Sequence, residues 1–497
     1  MGNRKTTRCT FKAGVLFRRG FAILVMVLTL STGCASDVSP PAMDTLRLTQ
    51  EGPHLVDAAN RRVLLRGVNA GGRSKFAPYH PFPFKESGHP LQSDAGSFED
   101  ELKIYLDRAS AWGVNILRVP FSWEAIEGER GTYNEQFLTR YTRILEAASD
   151  RGIRTIVDFH QDVFCRTYCG DGFPLWASPD PFLEQAPEEC KGWFMGYFGG
   201  PVLPAFDRFW QNEDGLIDSF IAMWETLVQR TSHIPGVIGY EIINEPFEGS
   251  ADTDVFGPEI LSPFYERVAG RIQALAPGVL VLFDTTGVEG ISGSTSQTRP
   301  TRNGVVFAPH YYAPSLFLTG SWVPGSDDTD SGIFAWADTG VEWDLPILLG
   351  EFGVRYDKEG AADYLRAQYA AMDKTLMHAT LWEYSSTRDD WNEEGMSIVG
   401  PAGEERPQVA ALVRPYPAAV AGEVVSWEWD PGAGSGSLHL VPAADGVTEI
   451  ILPQRLFPKG VEVEAPGATW RHDTENARLL LRWSDRTPRT VVFHPTP

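Results

Sequence analysis

Val237-Ile-Gly-Tyr-Glu-Ile-Ile-Asn-Glu-Pro246 is an apolar run of strand length that ends in Asn244-Glu245-Pro246. A second run, Pro346-Ile-Leu-Leu-Gly-Glu-Phe-Gly-Val354, carries Glu351 directly after Gly350. Ionised groups are seldom left at the edge of a core without a partner or a task. Further apolar runs lie at 63–69, 116–121, 154–160, 279–284, 305–311 and 379–384. Amphipathic segments at 97–112, 133–150, 214–231, 258–275 and 361–377 separate most of them. In 133–150, Phe137, Tyr141, Ile144, Leu145 and Ala148 recur at helical spacing. Continuous apolar strands alternating with helices imply parallel strands buried on both faces. Eight of them predict a (β/α)8 barrel over 46–410.

The chain around this pattern divides by composition. Arg4, Lys5, Arg8, Lys12, Arg18 and Arg19 precede the apolar stretch Phe21–Leu30 and then Ser31-Thr32-Gly33-Cys34. The stretch is too short to span a bilayer, and its flanks are those of a secretory signal covering 1–34. Small residues before Cys34 point to an acylated cysteine; cleavage near Ala35 is the plain alternative. Residues 35–45 are a Ser/Pro-rich tether, and 46–63 has the turns of a small hairpin. From 411 to 497 short alternating runs with turns between them predict an antiparallel β-sandwich. Removing the lead's six cations takes the formal charge of −22 to about −28. Nucleic acid is thereby an unsuitable partner, because phosphates require a basic face. Cys165, Cys169 and Cys190 suggest one disulfide and one spare thiol, with three pairings open.

In a barrel the carboxyl ends of the strands form the active face. Here they present Arg118, then Asp158-Phe159-His160-Gln161-Asp162, Asn244-Glu245, His310-Tyr311-Tyr312, Glu351 and Trp382. Two carboxyl groups facing each other across such a mouth suit retaining glycoside hydrolysis, one as nucleophile, the other as acid and then base. That chemistry calls for no metal and no cofactor. Arg118 and Tyr312 are expected to keep Glu351 ionised, and Asn244 to reach the sugar 2-hydroxyl. Asn-Glu-Pro by itself could be a helix start. His160, His310 and Trp382 could each be ordinary packing; the second carboxylate motif favours catalysis.

The motif Asn244-Glu245-Pro246 resembles the acid/base motif of glycoside hydrolase family 5, and Leu349-Gly-Glu351-Phe-Gly resembles its nucleophile motif. Arg118, His160, Asn244, His310, Tyr312 and Trp382 fall where that family keeps its supporting residues. Asp158–Asp162, Pro309–Tyr312 and Trp382-Glu383-Tyr384, with a C-terminal β-domain, look like the bacterial endoglycoceramidases within it. The resemblance implies a glycosphingolipid substrate cut between glycan and ceramide, and a membrane or micelle surface as the place of work. It implies sugar contacts for Gln161 and Asp162, and glycan contact for Lys75. Loops 191–200 and 313–322 carry enough large apolar residues to receive a lipid, or simply to pack themselves down. The alternatives are a polysaccharide β-glycanase or glucosylceramidase on the same barrel, or a non-catalytic glycan-binding surface lipoprotein.

Overall fold

The computed structural model describes residues 38–41, 45–89, 92–179, 196–197, 202–319, 322–386 and 394–497. The basic lead, Cys34, Cys190, Trp391 and most of the 191–200 loop lie outside the described residues.

Eight parallel strands form the ring: β1 (Arg66–Asn69), β2 (Ile116–Phe121), β3 (Arg154–Phe159), β4 (Val237–Glu241), β5 (Leu280–Phe283), β6 (Val305–Phe307), β7 (Leu348–Leu349) and β8 (His378–Leu381). They pair in the order β7-β8-β1-β2-β3-β4-β5-β6. A parallel bridge from Phe307 to Ile347 joins the two ends. The expected (β/α)8 barrel is therefore present, with helices such as Phe98–Trp112, Glu135–Ser149, Leu216–Thr231, Ser262–Leu275 and Ala361–Thr375 outside it.

Side chains alternate along each strand, and this alternation builds the site. Ile116, Ile156, Leu280, Leu282, Val306 and Leu348 form one apolar cluster with Leu48, Leu55 and Val63 of the N-terminal hairpin. Arg118, Asp158 and Asp284 each follow one of these residues at a spacing of two, so the next layer up is charged. Strand β6 is shorter than its apolar run because Pro309 has no N–H to give the ladder. Past Phe307 the chain leaves the sheet and delivers His310, Tyr311 and Tyr312 from a loop.

Strands from 416 to 495 form two antiparallel layers. One is Gly422–Asp430, Ser435–Pro442, Val461–Glu464 and Arg489–Pro495; the other contains Tyr416–Val420, Val447–Ile451, Thr469–Asp473 and Arg478–Arg482. The second layer holds a difference from the sequence reading. The hairpin at 48–63, grouped there with the barrel, extends this C-terminal sheet instead, because Arg62 and Val63 pair with Val420 and Ala419. Pairing over such a separation leaves no local trace in the sequence.

The seam between hairpin and C-terminal sheet is ionic and buried. Arg61 Nε donates to Asp57 Oδ2 at 2.8 Å, and its Nη1 meets the Glu449 carboxylate, which also takes Arg478. Tyr416 Oη donates to the Gly113 carbonyl of the barrel at 2.7 Å. Breaking a buried pair leaves uncompensated charge. Arg61→Ala is expected to lower unfolding free energy by about 3–5 kcal/mol in urea denaturation, and a loss below about 1 kcal/mol would contradict this role.

Candidate active site

Arg118 is the hub. It is fully buried, and its guanidinium meets Glu241 through Nε–Oε2 and Nη2–Oε1, each 2.8 Å. Nη1 donates to Asn69 Oδ1 at 2.9 Å and to Glu351 Oε1 at 2.8 Å. Nη2 donates to Asn244 Oδ1 at 2.8 Å and lies 3.2 Å from Asp158 Oδ2. A planar fork with five donors can serve so many acceptors; a lysine could not. One cation on β2 thus orients residues from β1, β3 and β4 and from the segments that follow β4 and β7.

Glu245 follows Asn244 in a left-handed backbone, φ 36°. Such a conformation costs a non-glycine residue about 1–3 kcal/mol and persists where its surroundings impose it. Here its N–H donates to Asp284 Oδ2 at 2.8 Å, and its carbonyl accepts from Gln161 Nε2 at 2.8 Å. The same amide donates to the Asn244 carbonyl at 3.0 Å. Gln161 is therefore occupied by backbone, which corrects the expectation that it meets the sugar.

An oxygen of Glu245, an oxygen of Glu351 and a ring nitrogen of His310 lie within 4.8 Å of one another. His310 Nδ1 is 2.7 Å from Glu245 Oε1 and 3.7 Å from Glu351 Oε2. Tyr312 Oη donates to Glu351 Oε2 at 3.0 Å. Gly350 leaves room for the imidazole, since a Cβ there would come within 3.1 Å of His310 Cδ2 and Nε2. This carboxylate spacing belongs to the retaining geometry and leaves no room for a water between the two groups.

Burial pushes Glu245 up to about 8, with Asp162 adding to the rise and Lys75 opposing it. Burial also lifts Glu351, to about 7, against the pull of His310 and Arg118. Arg118 and Tyr312 do touch Glu351, but desolvation outweighs the attraction that was expected to hold it low. What separates the pair is contact: Arg118 and Tyr312 on Glu351 favour its ionised form, while Asp162 beside Glu245 opposes ionisation there. Burial lowers His310 to about 4 and, with Lys75, His160 to about 3, so both rings are neutral.

His160 stacks on Trp382, with centroids 5.1 Å apart at 13°, while its Nδ1 lies 2.9 Å from Asp158 Oδ2. Lys75 Nζ sits 4.7 Å over the Trp382 ring, paired with Asp162 and, at 3.1 Å, with Glu394 Oε1. Trp382 Nε1 donates to Glu394 Oε2 at 2.9 Å. All ten residues expected at the site thus lie at one mouth of the barrel, Lys75 among them in a buried ion pair with Asp162 and Glu394. Sequence reasoning assigned nothing to Asn69, Glu241, Asp284 or Glu394. Asp284 ends the apolar run of β5 much as Glu245 and Glu351 end theirs, a signal that was available. Glu394 comes from an irregular segment after β8 with no local pattern. Glu241, Asp284 and His310 also come close together, but Arg118 and backbone amides already hold those oxygens. Cys165 is a buried free thiol and Cys169 is disulfide-bonded.

A carboxylate pair at the carboxyl end of a (β/α)8 barrel defines a glycoside hydrolase. Residues 80–388 match the cellulase family, glycosyl hydrolase family 5, and 414–493 match the glycoside hydrolase family 5 C-terminal domain. The chain belongs to glycoside hydrolase family 5. Endoglycoceramidase I of Rhodococcus hoagii is 29% identical over 454 residues, covering 86% of this chain and 84% of its own. Endo-glycoceramidase II from Rhodococcus sp., solved with ganglioside GM3 and also as a lactosyl-enzyme intermediate, is 26% identical. Its GM3 complex superposes with a TM-score of 0.75 over 90% of this chain and 100% of that one. A glucosylceramidase of Aspergillus fumigatus is 33% identical over 265 residues, 44% of this chain and 35% of its own.

Gln161→Leu is expected to lower kcat roughly 10–100-fold by freeing the Glu245 backbone, with KM little changed in steady-state assays. A raised KM at unchanged kcat would return Gln161 to the sugar.

Proposed function

We propose that this chain is a retaining endo-glycosidase that cleaves between the oligosaccharide and the ceramide of glycosphingolipids. The observation that carries the reading is the Glu245–Glu351 pair bridged by His310. Glu351 attacks the anomeric carbon as the bond to the ceramide oxygen breaks, and Glu245 gives its proton to that oxygen. Water then enters on the same face; Glu245 takes its proton, and the glycosyl–Glu351 ester is displaced to free sugar and carboxylate. Asn244, fixed by Arg118 and Gln161, stands where a 2-hydroxyl would be met; His160, Asp162, Lys75 and Trp382 surround the glycone. The similarity to an enzyme solved with GM3 and as a lactosyl-enzyme intermediate supports both the substrate class and the covalent route.

A small hollow beside Glu245 is lined by Tyr197, Pro246, Phe247 and Val288 together with Glu248 and Thr286, and Val288 and Val323, in the segments after β5 and β6, are exposed apolar side chains at which an aglycone could be met. Trp322, by contrast, packs its own loop down, donating to Thr329 Oγ1 at 2.9 Å. A glucosylceramidase is the second reading, favoured by the fungal relative but over less than half of the chain.

The substrate's place in an aggregate fits an enzyme that works at a membrane or micelle surface. We also propose export through residues 1–34 and acylation at Cys34. In a bacterial host, metabolic labelling with an alkynyl fatty acid is expected to mark the wild type and not Cys34→Ser; equal labelling would contradict acylation there.

Incubated with purified enzyme, gangliosides and neutral glycosphingolipids are expected to release ceramide and intact glycan, while carboxymethyl-cellulose stays whole. Glu245→Gln should lose about 10²–10⁴-fold in kcat, and Glu351→Gln essentially all turnover, both remaining folded. Cellulose cleavage without ceramide release would favour the polysaccharide enzyme.

A further inference from the structure

Behind Glu245 lies a second carboxylate that the retaining mechanism does not use. Asp284 is fully buried at the end of β5. Its Oδ2 accepts the Glu245 N–H at 2.8 Å and its Oδ1 accepts the Thr285 N–H at 2.6 Å. That same Oδ2 stands 3.4 Å from His310 Nε2, a buried nitrogen that makes no hydrogen bond among the described residues. Across the ring, Nδ1 is 2.7 Å from Glu245 Oε1. The imidazole therefore connects two carboxyl groups, one of which must carry a proton to catalyse.

We propose that Asp284 is a positioning residue: through His310 it fixes the imidazole as the Nε2–H tautomer, leaving Nδ1 as acceptor for the Glu245 proton. A neutral ring has one donor, and the hydrogen bond at one nitrogen selects the role of the other. Burial, Glu241 and Glu245 push the Asp284 carboxyl well above its ordinary range, and against them the backbone amides on its oxygens and Arg118 favour the ionised form that accepts from Nε2. Glu245 then donates to Nδ1 and is held as an acid until the leaving oxygen takes its proton. The 3.4 Å contact is long, as such contacts often are before substrate binds.

Several charges face this chain of groups. Around Asp284 lie Glu241 of β4, Arg118 of β2, and Tyr265 of helix Ser262–Leu275, whose hydroxyl donates to the Asp284 carbonyl at 3.0 Å. Around Glu245 lie Asp162, Lys75, Glu394, Arg118, Glu351, Tyr312 and Tyr197. None of them hydrogen-bonds His310 Nε2 among the described residues, and Asp284 is the carboxylate that faces that nitrogen at 3.4 Å.

The inference rests on the role proposed for Glu245, and its test separates the two. Asp284→Asn removes the charge and one acceptor, which frees His310 to donate from Nδ1 and favours ionised Glu245. The basic limb of kcat/KM, where the acid loses its proton, should move down by about one pH unit, on top of whatever pH-independent loss follows from a weaker hold on the Glu245 N–H. Phenyl β-lactoside, whose leaving group needs a proton, serves as substrate beside a glycosphingolipid. A uniform loss at all pH values with an unmoved limb would show mere structural support and overturn the proposal. A shifted limb on the aryl glycoside with no ceramide release by wild type would uphold Asp284 and defeat the proposed substrate. Should Asp284→Asn not fold, the ¹⁵N spectrum of histidine-labelled wild type, assigned against His310→Gln, decides. An unprotonated Nδ1 supports the proposal and a protonated Nδ1 overturns it.

Discussion

A guanidinium sealed inside a ring of strands is the constraint from which the site follows. Arg118 is removed from water, so each of its donors must be answered, and Asn69, Asp158, Glu241, Asn244 and Glu351 answer them. Desolvation makes such an arrangement all-or-none: satisfied it is rigid, and with one acid missing it carries bare charge in a medium that cannot screen it. The rigidity fixes Glu351 from one side. The fixed Asn244 sets the register in which Glu245 leaves the strand, and Gln161 and Asp284 hold the turn that aims its carboxyl across the mouth.

The same burial explains the protonation states. Two acids close together in a low-dielectric mouth both resist ionisation, and their neighbours separate them. Glu351 has Arg118 and Tyr312 on its oxygens; Glu245 has a neutral imidazole and, nearby, Asp162. What each oxygen touches thereby suits Glu245 to the proposed role of acid and Glu351 to that of nucleophile.

Much of this was legible in the chain because barrel physics is local. An apolar run that ends in a polar residue announces both a buried strand and a residue on the active face, so all eight strands and the Glu245–Glu351 pair could be read directly. Boundaries failed where chemistry interrupts the ladder, as at Pro309, where β6 ends early. What could not be read depends on long-range pairing. Val63 meets Ala419, and Glu394 reaches Trp382 and Lys75 from an irregular segment. Gln161 shows a subtler limit. Its place in Asp158–Asp162 was clear, but only the packed structure decides that its amide serves two carbonyls and not a sugar. Asp284 carried the same signature as Glu245 and Glu351 and went unassigned, because nothing in β5 alone says which neighbour it faces.

The central claim is that Glu351 forms a covalent bond to sugar across from Glu245. A 2-deoxy-2-fluoro-lactosyl fluoride, which slows breakdown of the ester more than its formation, should label the enzyme stoichiometrically. Peptide mass spectrometry should place the added glycosyl mass on Glu351 and find none on Glu351→Gln. Label on another residue, or no label with a product of inverted anomeric configuration, would contradict the account.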